Sequence, residues 1–404
     1  MITLTLKQRQ AQPPVYLLVL LMSFASLAAV LITPALPMIG QDFHISSSGS
    51  TWLITLFLLG YAIGQLPYGP IANRFGRRKA ALVGLALALV GSLLQLLAMA
   101  EHSFSLLLLA RALSAFGGAC GPVLAMTILS DCYDEAGARK MMATLILVFA
   151  LMPCLAIALG GFLTTHCGWH STLIIIAIYN IIVLALVYSQ LGETLPNDQH
   201  KKIHPIHTIK GLLSVFLAPN YLLCILLFTA GTATSYLFNS LAPALAIDTL
   251  KASPQDFGLL SIITSVGLLI GSYLAGNLSH KYSGKNVLMF GVVLLLATSI
   301  IFILLFSANI INLYSLFMPA FFLFISAALI MPNASMLALS AVKDKASGAG
   351  SMNATNLLLT SILVSIGGHF SEHYLTALPI AFLILALASL AVLFNLKQIK
   401  IFNN

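Results

Sequence analysis

Gly60-Tyr61-Ala62-Ile63-Gly64-Gln65-Leu66-Pro67-Tyr68-Gly69-Pro70-Ile71-Ala72-Asn73-Arg74-Phe75-Gly76-Arg77-Arg78-Lys79 carries an apolar run into a short basic tract. Its outline returns 207 residues later: Gly60, Gly64 and Gly69 face Gly267, Gly271 and Gly276, Ile71–Phe75 faces Leu278–Tyr282, and Arg78 faces Lys285. Self-similarity at a fixed offset marks a duplicated structural unit. Glycines four residues apart let two helices approach closely in lipid. Basic residues directly after an apolar run hold a loop on the cytoplasmic side of a membrane. The stretch therefore predicts a helix–loop–helix corner, used twice.

The surrounding chain fits that corner. It has 404 residues, of which 59% are hydrophobic and 7% charged, and its mean hydropathy is +1.00. A soluble domain carries about 25% charge, so a water-facing surface cannot be covered and a soluble globular protein is excluded. A disordered chain is excluded too, because that class is poor in apolar residues. Twelve apolar runs are present, at about 15–39, 51–72, 79–99, 104–129, 141–163, 171–190, 217–246, 257–279, 286–308, 312–339, 346–369 and 376–396. A spanning helix needs ~20 such residues. Barrel strands are about half that length and alternate, so the runs predict helices. The expected fold is an all-α polytopic membrane protein.

Charge placement orients the runs. With the N-terminus in the cytoplasm, seventeen of the 19 Lys+Arg fall in cytoplasmic segments, Lys251 falls on the other side, and Arg111 lies inside a span. Losing one span would scramble that division, so both termini are expected to be cytoplasmic. The net charge of +8 comes from these tracts. No basic face of a soluble module is present to suggest nucleic acid. Residues 191–216, polar and carrying Pro196, Lys201, Lys202 and Pro205, read as a linker. It divides a bundle of six spans at 1–190 from a second at 217–404. A parallel duplication of six-helix halves is a transporter architecture, with the substrate site between the halves near the midplane. The start reads as a first span rather than a signal peptide, because the run from Val15 to Ile39 is too long for one.

At this point the residues carry a family resemblance over nearly the whole chain. Gly69-Pro70-Ile71-Ala72-Asn73-Arg74-Phe75-Gly76-Arg77-Arg78-Lys79 resembles the loop between helices two and three of the major facilitator superfamily. Arg111 with Gly117-Gly118 is similar to its helix-four motif, and Pro153 with Gly160-Gly161 to the helix-five motif of the drug:proton antiporters. Pro34-Ala35-Leu36-Pro37, Glu193-Thr194-Leu195, Pro332-Asn333-Ala334 and Gly348-Ala349-Gly350-Ser351 resemble the bicyclomycin/chloramphenicol-resistance branch. The resemblance implies a multi-pass protein of a bacterial inner membrane, working as a monomer without cofactor or resident metal. It implies alternating-access export of drugs or other small amphiphilic molecules, driven by protons. It also implies a gate, in which Gly69, Asn73, Arg74, Gly76, Arg77 and Arg78 form the loop, Asp131 receives Arg77, and the outward-facing state is held. The bare alternatives are that the loop arginines enforce topology and that the glycines only pack.

One departure bears on chemistry. The branch carries an acid in helix one at the position of Val30, and all eleven acids here lie at span ends or in loops. Arg111 is then the one ionised side chain within a span, which makes it a candidate functional site. It either bonds to carbonyls and hydroxyls of helix one, such as Ser23 or Ser26, or faces the cavity and favours an anionic or neutral substrate. Thr232, Tyr236, Asn239 and Pro243 share one face of helix seven, and Asn353, Asn356 and Thr360 share one face of helix eleven. Both stripes are candidate cavity lining, with interhelical hydrogen bonding as the alternative. Tyr61 and Phe238 could add aromatic surface.

The residues admit other classes of function. Export of an endogenous acidic metabolite, such as a carboxylate siderophore, is the alternative within the transporter class. No ATP loop of the G-x-x-x-x-G-K-[ST] form is present. A membrane-embedded enzyme would need a nucleophile or metal constellation. The nearest approaches are the pairs His166/His170 and His369/His373 and the linker residues His200, His204 and His207. A sensor built on a transporter scaffold is a third class. The five scattered cysteines form no C-x-x-C pair.

Overall fold

Proline and glycine set where the runs break. In the computed structural model, residues 13–133, 135–195, 218–342, 345–370 and 374–397 are described. Span one is α1 (Val15–Val30), a 3-10 turn (Thr33–Ala35) and α2 (Leu36–Asp42). Pro34 and Pro37 lack the N–H that would continue the helix. Span four divides in the same way into α5 (Phe104–Gly118) and α6 (Cys120–Cys132), because Pro122 cannot donate to the Gly118 carbonyl. The other spans are α3 (Ser47–Phe75), α4 (Arg77–Ala100), α7 (Glu135–Cys167), α8 (His170–Gln190), α9 (Pro219–Pro243), α10 (Pro254–Lys281), α11 (Gly284–Ser307), α12 (Leu313–Ser340), α13 (Lys345–His369) and α14 (Tyr374–Lys397). A π-turn, Ala244–Thr249, follows Pro243.

Among the described residues, all regular structure is helical. Eleven spans are long and apolar enough to cross a membrane. The twelfth, α7, runs 33 residues, with Leu151–Cys167 as its strongly apolar part. Exposed Val83, Leu109, Leu155, Leu304 and Ile384 suit contact with lipid, since they would be costly in water. Much of the linker at 191–216 lies outside the described residues, as do His200, His204, His207 and His373.

The duplication is legible in the packing. α3 lies on α5 as α10 lies on α12; α4 on α5 as α11 on α12; α1 on α7 as α9 on α13. The six-helix halves meet along two long seams, α3 with α13 and α7 with α10. The repeat exchanges these seams, as an axis along the membrane normal requires. The first two glycines of each repeat make close contacts within their own half. A methyl on Gly60 would strike the Ala112 backbone, and one on Gly267 would strike Phe321. Around Gly69 and Gly276 there is open space. Gly60→Ala and Gly267→Ala are therefore expected each to destabilise by about 1–3 kcal/mol, the usual range for overpacking. Gly69→Ala and Gly276→Ala should leave the melting temperature in detergent unchanged. Equal effects at all four positions would contradict this division.

Candidate functional site

Two regions of chemistry stand out, one at each end of the halves. The basic end carries the α3–α4 loop. Gly76 turns this loop with a φ of 97°, a backbone region that favours glycine. A methyl there would also collide with the Glu193 carboxylate. Arg77, 6% exposed, directs Nε at Asp131 Oδ2, 2.9 Å away. Its Nη1 donates to Asn73 Oδ1 at 2.8 Å. The structure thus brings together Asn73, Gly76, Arg77 and Asp131, all within the N-terminal half. Arg78 Nη2 donates to the Tyr188 carbonyl at 2.7 Å, and its guanidinium lies over the Tyr188 ring. The Arg74 guanidinium lies over Phe75. Gly69, by contrast, touches nothing closely on its Cβ side.

Sequence reasoning did not assign Glu193 a partner. Glu193 accepts from the backbone N–H of Arg77 at 2.7 Å and of Arg78 at 3.3 Å. Those are the first residues of α4, so a carboxylate caps the helix where the dipole favours negative charge. Thr194 Oγ1 reaches Asp131 Oδ2 at 3.4 Å. The start of the linker is thereby tied to the loop motif. The signal available in the sequence was an acid–hydroxyl pair immediately after a span.

The far end holds cross-half bonds. Ser361 Oγ donates to the Thr55 carbonyl at 3.2 Å. The Gln255 N–H donates to Thr165 Oγ1 at 3.0 Å, and the Gln255 side chain pairs with His166 at 2.9 Å. The π-turn that carries Asp248 packs against α2. The helix-five glycines sit in this region. Gly160 faces the Leu31 carbonyl at the break in span one, and Gly161 faces Pro254 and Gly258 of α10. Pro153 lies inside α7, about two turns nearer the basic end. A groove of about 330 Å³ remains at the rim of the α3–α13 seam, lined by Ser48, Trp52, Ser365, Ile366, His369 and Phe370. His166 ends α7, whereas His170 begins α8, stacks on Trp169 and lies 4.0 Å from Asp42. This pair does not share one helix as the spacing alone allowed.

Between the two ends lies the midplane. Arg111 is wholly buried. Its Nη1 donates to the Ala28 carbonyl at 3.0 Å, and its guanidinium lies 4.4 Å from the centroid of the Phe57 ring. The partner is thus a carbonyl of helix one and not the Ser23 hydroxyl, which turns back to Val19 within its own helix. Phe57 packs beside Tyr61 with centroids 6.4 Å apart. Tyr61 stands on α3, which touches α9, the helix of Tyr236, in the other half. Tyr236 and Asn353 are half-buried, while Asn239, Asn356 and Thr360 are buried. The Asn239 and Asn356 Oδ1 atoms and Thr360 Oγ1 have no hydrogen-bond partner among the described residues. The two stripes are offset along their helices. Tyr221 of α9 bonds to Gly348 of α13 and Leu237 meets Gly367, so Asn356 lies level with Thr229 and Asn239 lies nearly three turns farther along. Phe238 is not cavity surface: it packs edge-on against Phe317 and Phe324 in the core of the C-terminal half.

Two six-helix halves, joined along exchanged seams around a buried polar midplane, define a membrane transporter. Residues 18–245 match the Major Facilitator Superfamily and residues 137–382 the MFS/sugar transport protein family. The chain belongs to the major facilitator superfamily, a family of transporters rather than enzymes. It is 24% identical over 336 residues to multidrug resistance protein D of Escherichia coli, covering 83% of each chain. It is 28% identical over 264 residues to a bicyclomycin resistance protein homolog of Haemophilus influenzae, covering 63% of each. The drug-efflux branch of the superfamily is therefore its nearer setting. The fold superposes on a D-xylose–proton symporter with a TM-score of 0.72 at 17% identity, over 92% of this chain and 95% of that one.

Proposed function

We propose that the chain is a monomeric, proton-driven exporter of drugs or other small amphiphilic molecules in a bacterial inner membrane. The observation that carries this reading is the pair of repeat-exchanged seams bonded together at the far end. Halves that meet this way can rock about a midplane site. The basic end is the cytoplasmic one by the charge rule, with both termini on that side, so the bonded far end closes the site from outside. The names of the drug-resistance relatives support the substrate class. The Asn73–Arg77–Asp131 cluster serves as a gate brace, and Tyr61 with Tyr236 forms the aromatic wall of the site.

The test is transport by the purified chain in proteoliposomes with ethidium as probe. A proton gradient imposed without ATP should drive accumulation of ethidium, and a protonophore should abolish it. Ethidium that binds but never exchanges across the bilayer would sink the exporter reading and leave a receptor. Exchange that ignores the gradient would remove proton coupling alone.

A further inference from the structure

Arg111 has one edge that the protein leaves open. Nη1 is used by the Ala28 carbonyl and the guanidinium face by Phe57. Nε and Nη2 are buried and have no partner among the described residues. No ion pair among the described residues includes Arg111. The two open donors are adjacent, on the edge of the guanidinium that makes two parallel bonds to one carboxylate. An uncompensated charge in a low-dielectric interior is strongly unfavourable. The chain has no acid to supply, since its acids lie at span ends or in loops and Val30 is apolar. Water can fill single donor positions, but it brings no charge. A carboxylate fills both and neutralises the site.

We infer that Arg111 docks the carboxylate of those transported ligands that carry one, and that these are small aromatic or apolar monocarboxylates. The apolar body follows from what stands beside the arginine: Phe57, and Tyr61 packed against it. In this structure Arg111 is closed over. Phe57 and Tyr61 belong to α3, which packs on α5 within the same half and on α13 across the seam. The inference rests on the exporter reading for its claim that the bound molecule is cargo.

The experiment uses the full chain in detergent and three probes at equal ionic strength: benzoate, its neutral isostere benzamide, and benzylammonium. Benzoate should raise the melting temperature, and the other two should not. Arg111→Lys keeps the charge and loses the fork. Its affinity for benzoate should fall about tenfold, the effect of one charge-assisted hydrogen bond, and Arg111→Gln should lose the benzoate shift. Equal stabilisation by benzamide, or an unchanged benzoate shift in Arg111→Lys, overturns the inference. If the Arg111 variants fail to fold, the charge series on the native chain decides alone. Ethidium exchange that persists without any benzoate shift sinks the carboxylate site and leaves the exporter standing. A benzoate shift at Arg111 without counterflow of labelled benzoate sinks the cargo claim.

Discussion

Replacing Gly161 by valine is expected to stop turnover while the chain stays folded. The glycine sits on α7 against Pro254 and Gly258 of α10, so its neighbours belong to the other half. A branched side chain there adds three carbons to a contact with no room for one. Overpacking of that kind costs about 1–3 kcal/mol. The strain falls on the closed far end and is relieved when the halves part. A bias of about 2.7 kcal/mol lowers the ratio of closed to open roughly a hundredfold, and the counterflow rate should fall by more than tenfold. A cysteine placed at Gln255 in a cysteine-free background should react faster with an impermeant maleimide. The neighbouring glycine supplies the control. Gly160 faces Leu31 within its own half, so Gly160→Val should lower the melting temperature instead. Wild-type counterflow in Gly161→Val would mean that this seam does not open during transport.

The contrast between Gly160 and Gly161 shows where reading a sequence ends. Both belong to one motif, and its packing character was legible. Which glycine faces its own half and which faces the other depends on tertiary structure. The large divisions were readable because they rest on sums. Charge placement over eleven loops fixes twelve spans, and an offset of 207 residues between repeats identifies the paired corners. A carbonyl of helix one was among the readable partners of Arg111, but which carbonyl was not, because a backbone carbonyl has no residue signature. Ser23 and Ser26 were the visible candidates, but a serine in a helix readily bonds to the carbonyl a turn before it, and Ser23 does so. Periodicity placed Tyr236 and Asn239 on one face and Asn353 and Asn356 on another. It could not give the relative height of the two helices, which the Tyr221–Gly348 bond sets.

Removing either member of the Arg77–Asp131 pair is expected to cost about 3 kcal/mol. Losing one partner of a buried pair leaves the other charge uncompensated, at about 3–5 kcal/mol. The low end applies here because the Asp131 side chain keeps 20% of its surface. Arg77→Ala and Asp131→Asn should each lower the melting temperature by several degrees. The double variant should be little worse than either single one, because contacting residues are not additive. Asn73→Asp, which puts a carboxylate beside Arg77 Nη1, should raise it. Stability alone does not separate a brace from a gate, and turnover does. The pair sits wholly within the N-terminal half, so it joins nothing across the seams. It acts on the cycle by keeping the α3–α4 corner rigid and docked on α6 and on the start of the linker, through Glu193 and Thr194. If that corner must move as one body, counterflow measured well below the melting temperature should fall more than tenfold in both single variants, with substrate affinity retained. Full counterflow in a folded Asp131→Asn protein would leave Arg77 as a structural anchor and the loop arginines as topology signals.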